Sequence, residues 1–192
     1  HEGLKNMPTP SPDGKWIAFV GREHRADWAQ NDRLWIVPFE GNSDPINLTK
    51  QNDFSVASSV INDVGGTDVT CPTWSPDGKS IYIQIAYHGS TILKSIPVNF
   101  EKCMTVVDGP GFVGQFSLDR SGSKLSYFFG TMEDTGQLKI LDLSNNSSGQ
   151  LTRMNRRWLD NLELGDVEER WFKGPDQNDL QGWIMKPPGF DP

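Results

Sequence analysis

The chain has 192 residues, 19 glycines, 13 prolines, 35% hydrophobic residues and a net charge of −7. That length holds one ordinary domain or one and a piece, and the acidic balance lacks the basic face of a nucleic-acid binder, the one basic cluster being Arg153, Arg156 and Arg157. No run of ~18 apolar residues is present, so no membrane span is expected, and the two cysteines support neither a disulfide scaffold nor a four-thiolate zinc site.

The first element is a turn, Ser11-Pro12-Asp13-Gly14-Lys15. Proline presets φ, the aspartate side chain caps the turn and glycine takes positive φ. It feeds a strand with alternating Ile17 and Phe19, and Leu34–Val37 forms the return strand. Between them runs the segment 21–33, long for a hairpin loop. It mixes arginines, acids and Trp28, and Arg22, Glu23 and Arg25 are its candidate substrate-binding residues, the arginines being suited to a carboxylate or peptide carbonyl. The competing reading is a solvated loop with local ion pairs. His24 with Asp27 and Asp32 lacks a second His or Cys, so no metal site is expected. A third, weaker strand ends in Asn47-Leu48-Thr49.

Residues 50–71 link to a second copy of the turn, and Gly65-Gly66 within them suggests an extra strand or a mobile loop. The copy is Ser75-Pro76-Asp77-Gly78-Lys79, preceded by Trp74 and followed by alternating Ile81, Ile83 and Ile85, then by Ile92–Ile96. Gly89 and the Asp108-Gly109-Pro110-Gly111 stretch are turns, without the Lys-Ser/Thr of a phosphate loop, so no nucleotide cofactor is expected. A degenerate third copy runs from Ser117 to Lys124, with Phe116 before it and Leu125, Tyr127 and Phe129 after it. It lacks the glycine spacing and the tryptophan of an aspartate box. Leu138–Leu143 returns, and Gln150-Leu151-Thr152 repeats the earlier Leu-Thr ending. Gly14 and Gly78 are 64 residues apart, Gly78 and Gly122 are 44 apart, and about 40–45 residues is the size of a four-stranded propeller blade. The expected fold is therefore all-β: a partial β-propeller over 1–152, with about three antiparallel blades at 5–70, 71–112 and 113–152. The competing reading is a sandwich of hairpins, whose strands do not usually repeat one turn in register.

Residues 153–166 break the repeat and read as a linker, with Trp158, Leu159 and Leu162 in one helical turn capped by Asn155 and stopped by Gly165. Glu168–Lys173 and Leu180–Lys186, separated by a polar turn, read as a C-terminal hairpin, followed by the stiff Pro187-Pro188-Gly189-Phe190-Asp191-Pro192. The Ser-Pro-Asp-Gly-Lys turns, the Leu-Thr endings and above all Glu168-Glu169-Arg170-Trp171-Phe172-Lys173 with Leu180-Gln181-Gly182-Trp183-Ile184-Met185-Lys186-Pro187-Pro188-Gly189-Phe190 resemble the prolyl oligopeptidase family. The likeness is to its acylaminoacyl-peptidase and dipeptidyl-peptidase-like members, and it covers the whole chain. The resemblance implies that 167–192 is the first hairpin of an α/β-hydrolase domain and that the propeller gates access of short peptides to a serine nucleophile. That nucleophile would sit in a Gly-x-Ser-x-Gly elbow. No such pentapeptide occurs here and the histidines are His1, His24 and His88, so the chain itself is expected to carry no catalytic triad.

A stand-alone binding module remains the alternative function. Its discriminator is whether the tail packs as a further propeller strand. Three blades would leave two open faces, carrying Trp16, Ala18, Tyr82 and Phe128 or the residues next to them, so self-association is expected. Cys71 and Cys103 are expected to be buried or half-buried free thiols. With His1-Glu2-Gly3 showing no secretory n-region, they lean towards a cytoplasmic location. The triplets at Asn47 and Asn146 are accordingly read as coincidental glycosylation matches.

Overall fold

The computed structural model describes residues 3–24, 30–61 and 69–191. It is all-β, with one four-residue helix among the described residues. Strands β1 (Lys5–Pro10), β2 (Trp16–Gly21), β3 (Arg33–Pro38) and β4 (Ile46–Asn47) form one antiparallel sheet in chain order. A second four-strand group is β5 (Thr73–Trp74), β6 (Ser80–Tyr87), β7 (Ser90–Pro97) and β8 (Met104–Val107). A third is β9 (Phe112–Leu118), β10 (Lys124–Gly130), β11 (Gln137–Asp142) and β12 (Ser147–Gln150). A single parallel pairing, Thr91 with Phe112, merges these last two groups into one eight-stranded sheet. Among the described residues, strands β13 (Val167–Lys173) and β14 (Asp179–Met185) pair only with each other.

The period-two pattern decides which side chains meet. Ala18, Val20, Leu34 and Ile36 of the first sheet pack on Ile81, Ile83, Ile85, Ile92 and Ile96 of the second group. From the opposite face of that group, Leu93 and Val107 pack on Val113, Phe116, Leu125, Tyr127 and Leu141 of the third. Burying each aliphatic side chain contributes roughly 1.5–3 kcal/mol. Of the residues expected on open faces, Trp16 and Ala18 join the first cluster and Tyr82 leans on the second. The far face of the first sheet carries their neighbours instead, with Phe19 and Trp35 stacked at 6.3 Å. Phe128 belongs to neither cluster.

The repeated turn works through its serine and aspartate together. Ser11 Oγ donates to Asp13 Oδ1 at 2.6 Å and accepts from Trp16 N–H at 3.0 Å, while Lys15 N–H donates to the same carboxylate at 3.1 Å. Ser75, Asp77, Lys79 and Ser80 repeat the arrangement at 2.7, 3.1 and 3.0 Å. Gly14, Gly78 and Gly122 all sit near φ +70°, a conformation that glycine adopts without strain and that, apart from asparagine and aspartate, other residues rarely adopt. In the third turn the pair is exchanged: Asp119 occupies the serine position and Ser121 the aspartate position. Asp119 accepts from the Ser121 hydroxyl and, at 2.8 Å, from Lys124 N–H. The hydroxyl–carboxylate bond forms with donor and acceptor exchanged while the backbone N–H still donates to the first turn residue, so the turn survives a sequence in which only its glycine aligns.

These bonds hold all three carboxyls below their ordinary value. The serine hydroxyl is the main cause and a backbone N–H the next, with Asp119 lowered to about 2. A carboxyl lowered in the folded state adds stability above its ordinary pKa and loses it as pH falls through the folded value. The melting temperature is therefore expected to drop between about pH 4 and pH 2, and Asp119→Asn is expected to start lower and to lose part of that slope. Equal slopes in a thermal-melt series would contradict the role given to Asp119.

The Leu-Thr endings have one shared function. Leu48 N–H donates to Leu34 O at 2.9 Å, while Leu34 N–H donates to Thr49 Oγ1 at 3.0 Å. Leu151, Leu138 and Thr152 repeat this at 2.8 and 2.9 Å. The threonine hydroxyl completes the ladder where the last strand stops.

Three expectations need correction. The helical turn is only α1 (Arg156–Leu159). Asn155 stands at φ 61° without a capping bond; its side chain donates to Thr135 Oγ1 instead. Gly165 does not stop the helix; it lies against the Lys186 carbonyl, where a Cβ would not fit. Cys71 is exposed, and Cys103 alone is half-buried, accepting from Asn52 at 3.6 Å. Of the 50–71 link, Gly65-Gly66 lies outside the described residues, while Val56 is fully buried and bridges to Ile85.

Candidate functional site

Two regions gather functional side chains. The first is the neck of the segment between β2 and β3. Arg22 Nε donates to Asp32 Oδ1 at 2.7 Å and its Nη2 to Oδ2 at 3.1 Å, a two-pronged pair that ties the ends of the segment together. Asp32 N–H donates to Ser55 Oγ at 3.0 Å, anchoring the neck to the link below it. Of the sequence candidates, Arg22 is half-buried in this pair, Glu23 is exposed beside it, and Arg25 lies outside the described residues. His24 is exposed, and Asp27 lies outside the described residues.

The second region is where the C-terminal hairpin meets the sheets. Register places Glu169, Trp171, Gln181 and Trp183 on one face of the hairpin, with Glu169 opposite Trp183 and Trp171 opposite Gln181. That face lies on the turn between β6 and β7. The His88 ring meets Trp171 edge-on at 5.1 Å and stacks on Tyr87 at 3.9 Å. Gln181 Nε2 donates to the His88 carbonyl at 2.9 Å and to Glu169 at 3.0 Å. Beside these contacts is a cavity of about 630 Å³, whose walls include Phe112, Met132, Trp183 and Met185 and whose carboxylates are Glu133 and Glu169. The opposite face carries Glu168, which receives both Lys186 and Arg170. The Lys186 bond is the main reason its carboxyl lies below the usual range.

The sequence pointed to the first region and not to the second. His88, Glu133 and the inward face of the hairpin lie on three separate stretches of chain. Pairing Trp171 with Gln181 in register was the available signal for one amphipathic face. Among the described residues no cluster of three or more His, Cys, Asp or Glu is placed to hold a metal ion.

No family model matches the chain. In structure it is similar to Pyrococcus horikoshii acylaminoacyl peptidase, with a TM-score of 0.66, 19% identity, and 91% of this chain and 24% of that one covered. It is also similar to the β-propeller domain of the Trilobed protease from Pyrococcus furiosus, with a TM-score of 0.52, 17% identity, and 74% and 38% covered. These likenesses bear on the fold, which is propeller-like. In sequence it is 26% identical over 190 residues to dipeptidyl-peptidase 5 of Porphyromonas gingivalis, an alignment covering 98% of this chain. These similarities support the resemblance to peptidases of the prolyl oligopeptidase family. The chain spans about a quarter of the length of the curated relatives that it matches. Of the residues matched to the resemblance, Glu168–Lys173 lie within β13, and Leu180–Lys186 run through β14 to one residue past its end.

Proposed function

We propose that the chain is the propeller portion of a serine peptidase acting on short peptides, and that it gates access to a catalytic domain outside residues 1–192. In this reading 5–70, 71–112 and 113–152 are three blades, 153–166 is the linker, and 167–192 is the first hairpin of the α/β-hydrolase domain. The observation that carries it is the hairpin itself: among the described residues β13 and β14 pair with each other and add no strand to the preceding sheets, which fits a connection to a following domain and not a further blade strand. The similarity to dipeptidyl-peptidase 5 and the span of that alignment support the same reading.

A ring of blades selects by width, because a peptide must enter it before it reaches the nucleophile. The segment beginning at Arg22, Glu23 and Arg25 would form part of the rim, its neck held by Arg22–Asp32. The test uses the complete polypeptide and a series of substrates sharing one cleavage sequence but increasing in size. Gating predicts that kcat/KM falls roughly tenfold or more from short peptides to the same sequence in a folded host, a cost of about 1.4 kcal/mol or above. Equal values would overturn it.

Taken alone, the chain is proposed to self-associate. Phe19 on the far face of the first sheet, and Phe128 and Leu138 on that of the third group, belong to neither core cluster, and apolar patches above a few hundred Å² rarely stay bare. Twofold pairing is the commonest solution. Light scattering that gives a mass near 21.5 kDa at micromolar concentration would contradict this.

A further inference from the structure

We propose that the two-residue turn His88–Gly89 is a latch that fixes the orientation of the C-terminal hairpin and thereby the mouth of the cavity beside it. Among the described residues the hairpin has little else to hold it. None of its residues belongs to either core cluster, and α1 in the linker has no buried residue. The linker is anchored at its start, where Gln137 Nε2 donates to the Met154 carbonyl at 2.9 Å, Met154 N–H donates to Gln137 Oε1 at 2.8 Å, and Asn155 reaches Thr135. Its far end travels with the hairpin, because Lys186 N–H donates to Asp166 O at 2.9 Å. Residues 156–166 therefore form an arm between a fixed base and a body that, among the described residues, touches the sheets mainly through one turn.

That turn is built for the contact. His88 and Gly89 both have positive φ, 46° and 66°. This geometry turns the His88 carbonyl to Gln181 and its ring to the edge of Trp171. It also brings Gly89 so close beneath the Trp183 ring that a Cβ there would overlap Cη2 and Cζ2. The three contacts fall on Trp171, Gln181 and Trp183, all on one face of the hairpin. His88, Gly89 and Trp183 also line the cavity, so release of the latch opens that wall. Glycine at 89 thus serves two purposes, the left-handed turn and the seat for an indole ring.

Hydrogen exchange on this chain separates the two. Asparagine tolerates positive φ, so Gly89→Asn keeps the turn and fills the seat. Gly78→Asn makes the same change where the nearest atom, Pro12 Cδ, is 3.9 Å away. An isolated two-stranded hairpin is marginal in water, so an undocked one exchanges faster. Gly89→Asn is expected to speed exchange at 167–173 and 179–185 about tenfold, with 80–87 and 90–97 unchanged, and Gly78→Asn to leave the hairpin as it was. Should Gly89→Asn disturb 80–97 as well, the comparison of Trp183→Leu with Phe172→Leu, on opposite faces of the hairpin, decides: only the first is expected to release it. Equal exchange within either pair overturns the latch. The test reads contacts inside the chain and involves no peptide hydrolysis, so its failure leaves the peptidase reading untouched.

Discussion

Replacing Gln84 by leucine is expected to destabilise the chain by about 2–4 kcal/mol, more than any change to a surface residue. Gln84 is 1% exposed in the middle of β6, between Ile83 and Ile85. Those two isoleucines face the first sheet, and Gln84 points the other way. Its Nε2 donates to the carbonyls of Val113 and Gly114 on β9 at 2.8 and 2.9 Å. Its Oε1 accepts from Thr70 N–H at 2.7 Å. One amide thus ties the second strand group to the third and to the end of the link that precedes it. Leucine fills similar space but leaves those backbone groups without their partner in a site closed to water, and that desolvation is the source of the cost. Ile83→Val, which removes one methylene-sized group from the same strand, is expected to cost only about 0.5–1.5 kcal/mol. Urea unfolding of both variants checks the order, and a Gln84→Leu effect below that of Ile83→Val would show that the amide is not the tie.

Alternating aliphatics after a Ser-Pro-Asp-Gly turn marked β2, β6 and β10 in the sequence because turn and strand signals coincide there. Strand β1 carried no such signal. Its sequence, Lys-Asn-Met-Pro-Thr-Pro, has two prolines and no alternation; it is an edge strand whose register shifts between Asn6 and Thr9, a place where proline is tolerated. Strand β8 is four residues with two exposed, too short for a period to register. The third turn was legible through Gly122 alone, since the exchange of Ser and Asp between positions hides the motif while keeping its bonds. For the candidate site the limit was distance along the chain. The Arg22–Asp32 pair is local, ten residues apart, and the charge-rich segment announced it. The contact of His88 with Gln181 spans 93 residues, and nothing in either segment names the other.

The second large effect concerns where the chemistry resides, and it is all-or-none. Acyl transfer by a serine needs the hydroxyl, a base within hydrogen-bond reach and donors for the oxyanion. Residues 1–192 contain no Gly-x-Ser-x-Gly elbow. His88, the histidine at the hairpin, makes ring contacts with Tyr87 and Trp171. In the serines Ser11 and Ser75 of the repeated turns, the hydroxyl donates to its own turn aspartate. A hydroxyl engaged in this way caps a turn and is not poised for attack on a carbonyl. The most direct measurement is active-site labelling with a fluorophosphonate, on the isolated chain and on the complete polypeptide, with the modified serine located by peptide mapping. The account predicts no label on the isolated chain and a single labelled serine in the complete polypeptide, outside residues 1–192. A labelled serine within residues 1–192, or a complete polypeptide that takes no label, would contradict it.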